Sequence, residues 1–122
     1  MNIPDDLLYT DHDEWLRVEG NTVTVGISDY AQDQLGELVH VELPEVGAEL
    51  SAGDMACEVE SVKAVAEVYA PVSGTVSEVN EALEDGAEGI NEDPYGQWIF
   101  KLTVDGPVEG FLDAAAYRAK VS

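Results

Sequence analysis

The run Met55-Ala56-Cys57-Glu58-Val59-Glu60, then Ser61-Val62-Lys63, then Ala64-Val65-Ala66-Glu67-Val68-Tyr69-Ala70, decides the reading of this chain. On both sides of the lysine apolar and polar residues alternate, which is the period of a half-buried strand. So few residues separate the two runs that the chain must reverse near Ser61 to Ala64, placing Lys63 at or beside the tip of a hairpin. It is the only Lys or Arg between Arg17 and Lys101. A lysine so placed holds its amine away from the core, open to a modifying enzyme, where a lone solvated lysine is the plainer alternative.

Outward from the hairpin the same alternation recurs in short pieces. Glu14-Trp15-Leu16-Arg17-Val18 and Thr22-Val23-Thr24-Val25-Gly26-Ile27 flank Glu19-Gly20-Asn21, which tolerates the positive φ of a tight turn. Ser28 is an N-cap for a short helix over Asp29–Leu35 that Gly36 ends, with Tyr30, Gln34 and Leu35 expected to face inward. Glu37 to Leu43 reads as a strand that sets Leu38, His40 and Glu42 opposite Val39, Val41 and Leu43. Thr75 to Val79 and Trp98 to Val104 are further strands, Asn80 to Gly86 a helical turn or loop, and Ile90 to Gly96 a turn-rich loop. Leu112, Ala115, Ala116 and Ala119 recur at helical spacing between Glu109 and Lys120, with Arg118 and Lys120 at the end where cations suit the helix dipole. Short strands with turn signals every eight to twelve residues imply a sandwich or flattened barrel.

The chain's 122 residues suffice for one core without staples. The lone cysteine, Cys57, excludes an internal disulfide and reads as a small buried residue, and neither His12 nor His40 sits in a metal-ligand spacing. No apolar run has the length of a membrane span, and the start, Met1-Asn2-Ile3-Pro4-Asp5-Asp6, is neither a signal nor a transit peptide, so a cytoplasmic protein is expected. With 26 acids against 5 Lys plus Arg, the net charge of −21 argues against nucleic acid and anionic membranes as partners. The acids are spread among regularly spaced apolar residues, which fits a folded protein of a high-salt cytoplasm better than a disordered tail. No nucleophile–base pair, metal cluster or phosphate loop stands out, so a stand-alone enzyme is the weakest reading.

A strand, Glu60-Ser61-Val62-Lys63-Ala64, a second strand and Ala70-Pro71-Val72-Ser73-Gly74 resemble the swinging-arm carriers, in which a hairpin lysine bears lipoate or biotin. The similarity is greatest to the glycine cleavage H-protein family. It extends to Tyr9-Thr10, Glu14-Trp15, Gly26-Ile27-Ser28-Asp29-Tyr30-Ala31-Gln32, Gln34-Leu35-Gly36-Glu37 and Val41-Glu42-Leu43-Pro44-Glu45-Val46-Gly47. Later it takes in Val79-Asn80, Ile90-Asn91 and Asp93-Pro94-Tyr95-Gly96 with Trp98, so the ordered set covers most of the chain. Three departures stand out: Asp13 occupies the family's histidine position, Gln97 directly joins Gly96 to Trp98, and Ala87 and Gly89 replace the usual Pro and Leu, which should loosen that loop.

The resemblance implies one carrier domain over residues 1–122, mostly β, a lipoyl/biotinyl-type sandwich or flattened barrel (a barrel-sandwich hybrid) with short helices and a C-terminal helix. It implies lipoate in amide linkage to Lys63 and no catalysis by the protein itself. The implied partners are a pyridoxal-phosphate glycine decarboxylase, a tetrahydrofolate-dependent aminomethyltransferase, a flavin dihydrolipoyl dehydrogenase and the lipoate-attaching enzyme. Glu14 and Glu67 match the acidic positions that hold the amine of the loaded arm. A biotin carrier would usually place Met on both sides of the lysine, where Val62 and Ala64 stand, and a 2-oxoacid dehydrogenase lipoyl domain would carry Asp before it. A lipoate-relay protein would share the same lysine motif.

Overall fold

The computed structural model describes residues 1–121. Its strands are β1 (Leu8–Tyr9), β2 (Glu14–Glu19), β3 (Thr22–Ile27), β4 (Leu38–Glu42), β5 (Glu49–Leu50), β6 (Met55–Ser61), β7 (Val65–Tyr69), β8 (Gly74–Val79) and β9 (Phe100–Thr103). Helices α1 (Asp29–Leu35), α2 (Ala82–Asp85), α3 (Gly89–Glu92) and α4 (Ala114–Val121) join or flank them. Two antiparallel sheets form, one in the order β1-β2-β3-β9-β8-β5 and one in the order β4-β6-β7. They do not close into a barrel, so the expected mostly β sandwich with short helices and a C-terminal helix is what the chain adopts.

Strand alternation fills the space between the sheets. Register sets Leu16 against Val25 and Val25 against Phe100, while Val23 meets Leu102 and Leu102 meets Val76. Val41, Cys57, Val59 and Val68 of the smaller sheet join these residues in one buried cluster. The outer face of the smaller sheet is different. There Glu42 pairs with Glu58 and Glu58 with Glu67, while His40 pairs with Glu60 and Glu60 with Val65. Like charges directly opposite one another are unfavourable, and none of the ion pairs among the described residues reaches this face.

A second cluster lies on the other side of the larger sheet, where Tyr9, Trp15, Tyr95 and Tyr117 are buried with Ile3, Leu7 and Ala114. The Tyr9 and Tyr117 rings stack with centroids 4.5 Å apart. Trp15 lies over its cross-strand partner Gly26 and donates its indole N–H to the Pro94 carbonyl at 3.0 Å. Only hydrogen fits at Gly26, because a Cβ there would stand 2.5 Å from the indole ring.

Several expectations are corrected. Leu38 pairs with Ser61 and His40 with Glu60, so Val39 is an extra residue bulged out of β4. The bulge resets the alternation: Leu38 and Val41 are buried, whereas Val39 and His40 are both exposed. Ser28 caps α1 as expected, accepting the Ala31 amide, and Gly36 ends it. No residue of α1 is fully buried, and Ala31 and Leu35 pack on the core while Gln34 is exposed. Around Ala87 and Gly89 the chain forms the short helix α3, with Ala87 and Ile90 buried. The last strand begins at Phe100 rather than Trp98. Leu112 exchanges backbone hydrogen bonds with Tyr9, so α4 starts only at Ala114, where the Asp113 carboxylate accepts the Ala116 amide. Ala114 and Tyr117 are buried, and Ala115, Ala116 and Ala119 are exposed.

Gly26→Ala should lower stability by about 1–3 kcal/mol, since the ring beneath has no room to yield. Urea unfolding followed by tryptophan fluorescence checks it, and an unchanged midpoint would mean that Trp15 can shift.

Candidate functional site

β6 and β7 are joined by a four-residue turn in which the Ser61 amide donates to the Ala64 carbonyl at 2.8 Å. The buried Ser61 hydroxyl accepts the amides of Lys63 and Ala64 at 3.2 and 3.0 Å and lies 3.2 Å from the Ala64 carbonyl. One side chain therefore satisfies the turn's inward-facing amides and fixes its shape. A further bond, from the Val62 amide to the Glu37 carbonyl at 3.0 Å, ties the tip to the chain just ahead of β4. Lys63 stands exposed on this anchored tip and makes no ion pair among the described residues.

The Lys63 stem leans over Gly36, whose φ of +81° suits glycine and whose missing Cβ would lie 3.5 Å from Cε. A cleft of about 180 Å³ lies between α1 and β7 and is lined by Leu35, the residue before Gly36. Ile27, Ala31, Leu35, Val59, Ala66 and Val68 give it apolar walls, and Gln34, Glu67, His12 and Asp13 supply its polar lining. That combination accepts a mainly apolar chain ending in a polar or cationic head.

Glu67 is exposed and accepts a hydrogen bond from the Tyr69 hydroxyl at 2.9 Å. Glu14 is placed differently, with 1% of its surface exposed. Its carboxylate accepts the Thr10 hydroxyl at 2.8 Å and the Tyr69 backbone N–H at 2.8 Å. Burial raises its pKa above the ordinary carboxyl range, while the two hydrogen bonds and nearby His12 pull the other way. Glu14 lines a separate cavity of about 240 Å³ together with Thr10, His12, Tyr69 and Phe111. The two acids thus do not share a cavity, but Tyr69 bonds to both, through its N–H and its hydroxyl.

Sequence reasoning missed Tyr69, Thr10 and His12. The His12 ring packs on Tyr69 at 4.7 Å and borders both cavities. Tyr69 follows Glu67 by two residues, so strand alternation alone puts them on one face. Asp13 adopts φ +66° and accepts the Tyr117 hydroxyl at 3.0 Å, with Lys120 at 3.8 Å. Cys57 is buried and its thiol is pushed up to about 12, first by burial and then by Glu14, Glu42 and Glu58. A further hollow, about 520 Å³ around Leu50, Val72, Val104 and Phe111, shares no lining residue with the cleft between α1 and β7. No helix among the described residues is long and apolar enough to cross a membrane.

Against this geometry stand the similarities to known proteins. The sequence model of the family described as "Glycine cleavage H-protein" matches residues 7–122. The chain is 58% identical over 119 residues to a "Probable glycine cleavage system H protein" of Thermococcus kodakarensis, covering 94% of this chain and 89% of that protein. It is 55% identical over 124 residues to the "Glycine cleavage system H protein" of Alteromonas mediterranea, covering 98% and 96%. The crystal structure of a glycine cleavage system H protein from Mycobacterium marinum superposes with a TM-score of 0.90 at 41% identity, covering 97% and 98% of the two chains.

Glu14 makes stability depend on pH in a defined direction. Its folded-state pKa lies above the unfolded value, so its contribution is fully present below about pH 4. That contribution is lost as pH rises through the folded value. The stability of the parent relative to Glu14→Gln should therefore fall with rising pH, measured by urea unfolding across a pH series. A difference that stayed constant would mean that Glu14 titrates as it does in the unfolded chain.

Proposed function

The chain belongs to the glycine cleavage H-protein family, whose known function is that of lipoyl carrier in the glycine cleavage system, and from that premise we infer that Lys63 is the attachment point of the lipoyl group. The observation that supports the inference is the anchored tip, which holds an exposed lysine, in no ion pair among the described residues, against Gly36 at the end of the helix that borders the cleft.

The residues suit the group. A five-carbon acyl chain and a dithiolane are apolar, and Ile27, Leu35, Ala66 and Val68 offer them an apolar bed out of water. When bound, the lipoyl group supplies the redox and group-carrying chemistry, conveying the aminomethyl unit of glycine between enzymes. Ser61 and the Val62–Glu37 bond hold the attachment point in place. Gly36 lets the lysine stem lie close against the backbone. Glu67, at the cleft, places a carboxylate where it favours a cationic amine. Glu14 contributes through Tyr69, which it holds by the backbone and which in turn hydrogen-bonds Glu67.

As a carrier subunit of this system, the chain takes no catalytic part of its own in this reading. Its partners are the pyridoxal-phosphate glycine decarboxylase, the tetrahydrofolate-dependent aminomethyltransferase, the flavin dihydrolipoyl dehydrogenase and the enzyme that attaches lipoate, all in the cytoplasm. Residues 1–122 form one carrier domain. The acid-rich surface, including the unneutralised row Glu42, Glu58 and Glu67, supports assignment to a high-salt cytoplasm, where screening shortens the range of repulsion to about 3 Å near 1 M salt.

Protein purified from its own host should show a lipoyl mass on the peptide containing Lys63, absent from Lys63→Arg. Biotin there, or an unmodified peptide from lipoate-replete cells, would overturn the assignment. Lys63→Ala should leave the melting temperature unchanged, because the exposed side chain buries little. Glu67→Gln should still be lipoylated but should release the aminomethyl unit about fivefold faster at low salt, read as formaldehyde formation.

Melting temperature should also rise steeply from millimolar to molar salt as self-repulsion is screened. A flat profile would remove the high-salt assignment and leave the carrier role intact.

A further inference from the structure

Of the large exposed apolar side chains, Met1, Val18, Val46 and Met55 belong to separate segments of the chain. Three others do not. Val62 is 65% exposed, Val65 57% and Val39 51%, and all three belong to segments that meet at the lysine tip. Val62 precedes Lys63 and is tied by its amide to Glu37. Val65 opens β7, and its partner Glu60 pairs in turn with His40. Val39 is the bulged residue between Leu38 and His40 and is turned to solvent. Single exposed valines are ordinary, but a group around one lysine on a surface this acidic marks a contact.

We propose that Val39, Val62 and Val65 form an apolar collar that docks the lipoate-attaching enzyme, whose matching face is apolar at the mouth of its acyl site and basic around it. The inference rests on Lys63 being the lipoyl site. Its occupant follows from reach. The attaching enzyme must act on the Lys63 amine itself, at the end of a four-carbon stem and so closer to the tip than the far end of the finished arm. Its active site has to close down on the tip, and what it then touches is the collar. The charge of its rim follows from Glu37 and Glu60, exposed beside the collar and in no ion pair among the described residues.

In the step that docking serves, the Lys63 amine sheds one proton to become neutral and attacks the carbonyl carbon of an acyl–nucleotide mixed anhydride. The C–N bond forms as the C–O bond to phosphate breaks, the nucleoside monophosphate leaves, and the second proton passes to solvent. The collar takes no part in this chemistry. It contributes binding, so its loss should appear in KM and not in kcat.

The test uses the full apo chain with purified lipoate–protein ligase, lipoate and ATP, following product by intact mass. Val39→Ser, Val62→Ser and Val65→Ser should each raise the KM for the carrier about fivefold, with kcat within twofold and melting temperature unchanged. Val18→Ser and Val46→Ser, exposed but away from the tip, should behave as the parent. Unchanged KM in the three collar variants, with Lys63 still lipoylated, overturns the collar alone. An equal rise in the Val18 and Val46 variants overturns it too, since the effect would then be general. If the parent itself is not acylated at Lys63, the attachment assignment fails and the collar falls with it.

Discussion

Glu14 reaches from β2 in the larger sheet to the backbone N–H of Tyr69 in β7 of the smaller one, and its other oxygen takes the Thr10 hydroxyl. Taking a carboxylate out of water is unfavourable unless its lone pairs are met, and here both oxygens are. The consequence is mechanical as well as electrostatic. β7 is an edge strand, and this bond fixes its end against the opposite sheet. β7 also forms one leg of the lysine hairpin and one wall of the cleft. The end of β7 remote from the tip, and with it the placing of Tyr69 beside Glu67, is referred to this one carboxylate.

The hairpin was legible because both of its strands are buried on one face only, so polarity alternates with the backbone. The buried face, Cys57, Val59 and Val68, follows directly from that alternation. β4 was not legible in the same way, because an extra residue at Val39 leaves no trace in composition while reversing every side chain before it. Of the site, Lys63 and Glu67 stand where the strand pattern puts them, but the burial of Glu14 depends on contacts between residues 55 positions apart. The same limit applied at the end of the chain. Helical spacing favoured Leu112 and the alanines, yet the stacking of Tyr117 on Tyr9 and the pairing of Leu112 with β1 determined which side faces in.

Asp13 illustrates how a departure from the family pattern is absorbed. Its positive φ is one that Asp tolerates better than most residues. Its carboxylate accepts from Tyr117, whose oxygen is also hydrogen-bonded to the hydroxyl of Ser28, the cap of α1. A chain of polar contacts thus runs from the C-terminal helix to the helix that borders the cleft. The acid at this position is a structural joint, while the imidazole next to it, His12, lies on Tyr69 between the two cavities.

Cys57 lies on the buried face of β6, in the strand that leads to Lys63, and its thiol is held near 12. A dithiolane is a strained disulfide, and disulfides are opened by thiolates, not by thiols. Burial and the neighbouring carboxylates disfavour the Cys57 thiolate at neutral pH relative to a free cysteine. The same burial and neighbouring carboxylates that make this residue inert also protect the arm from its own protein. A self-inflicted mixed disulfide, which would lock the arm into the core and end its traffic between enzymes, is disfavoured by keeping this one sulfur buried and protonated.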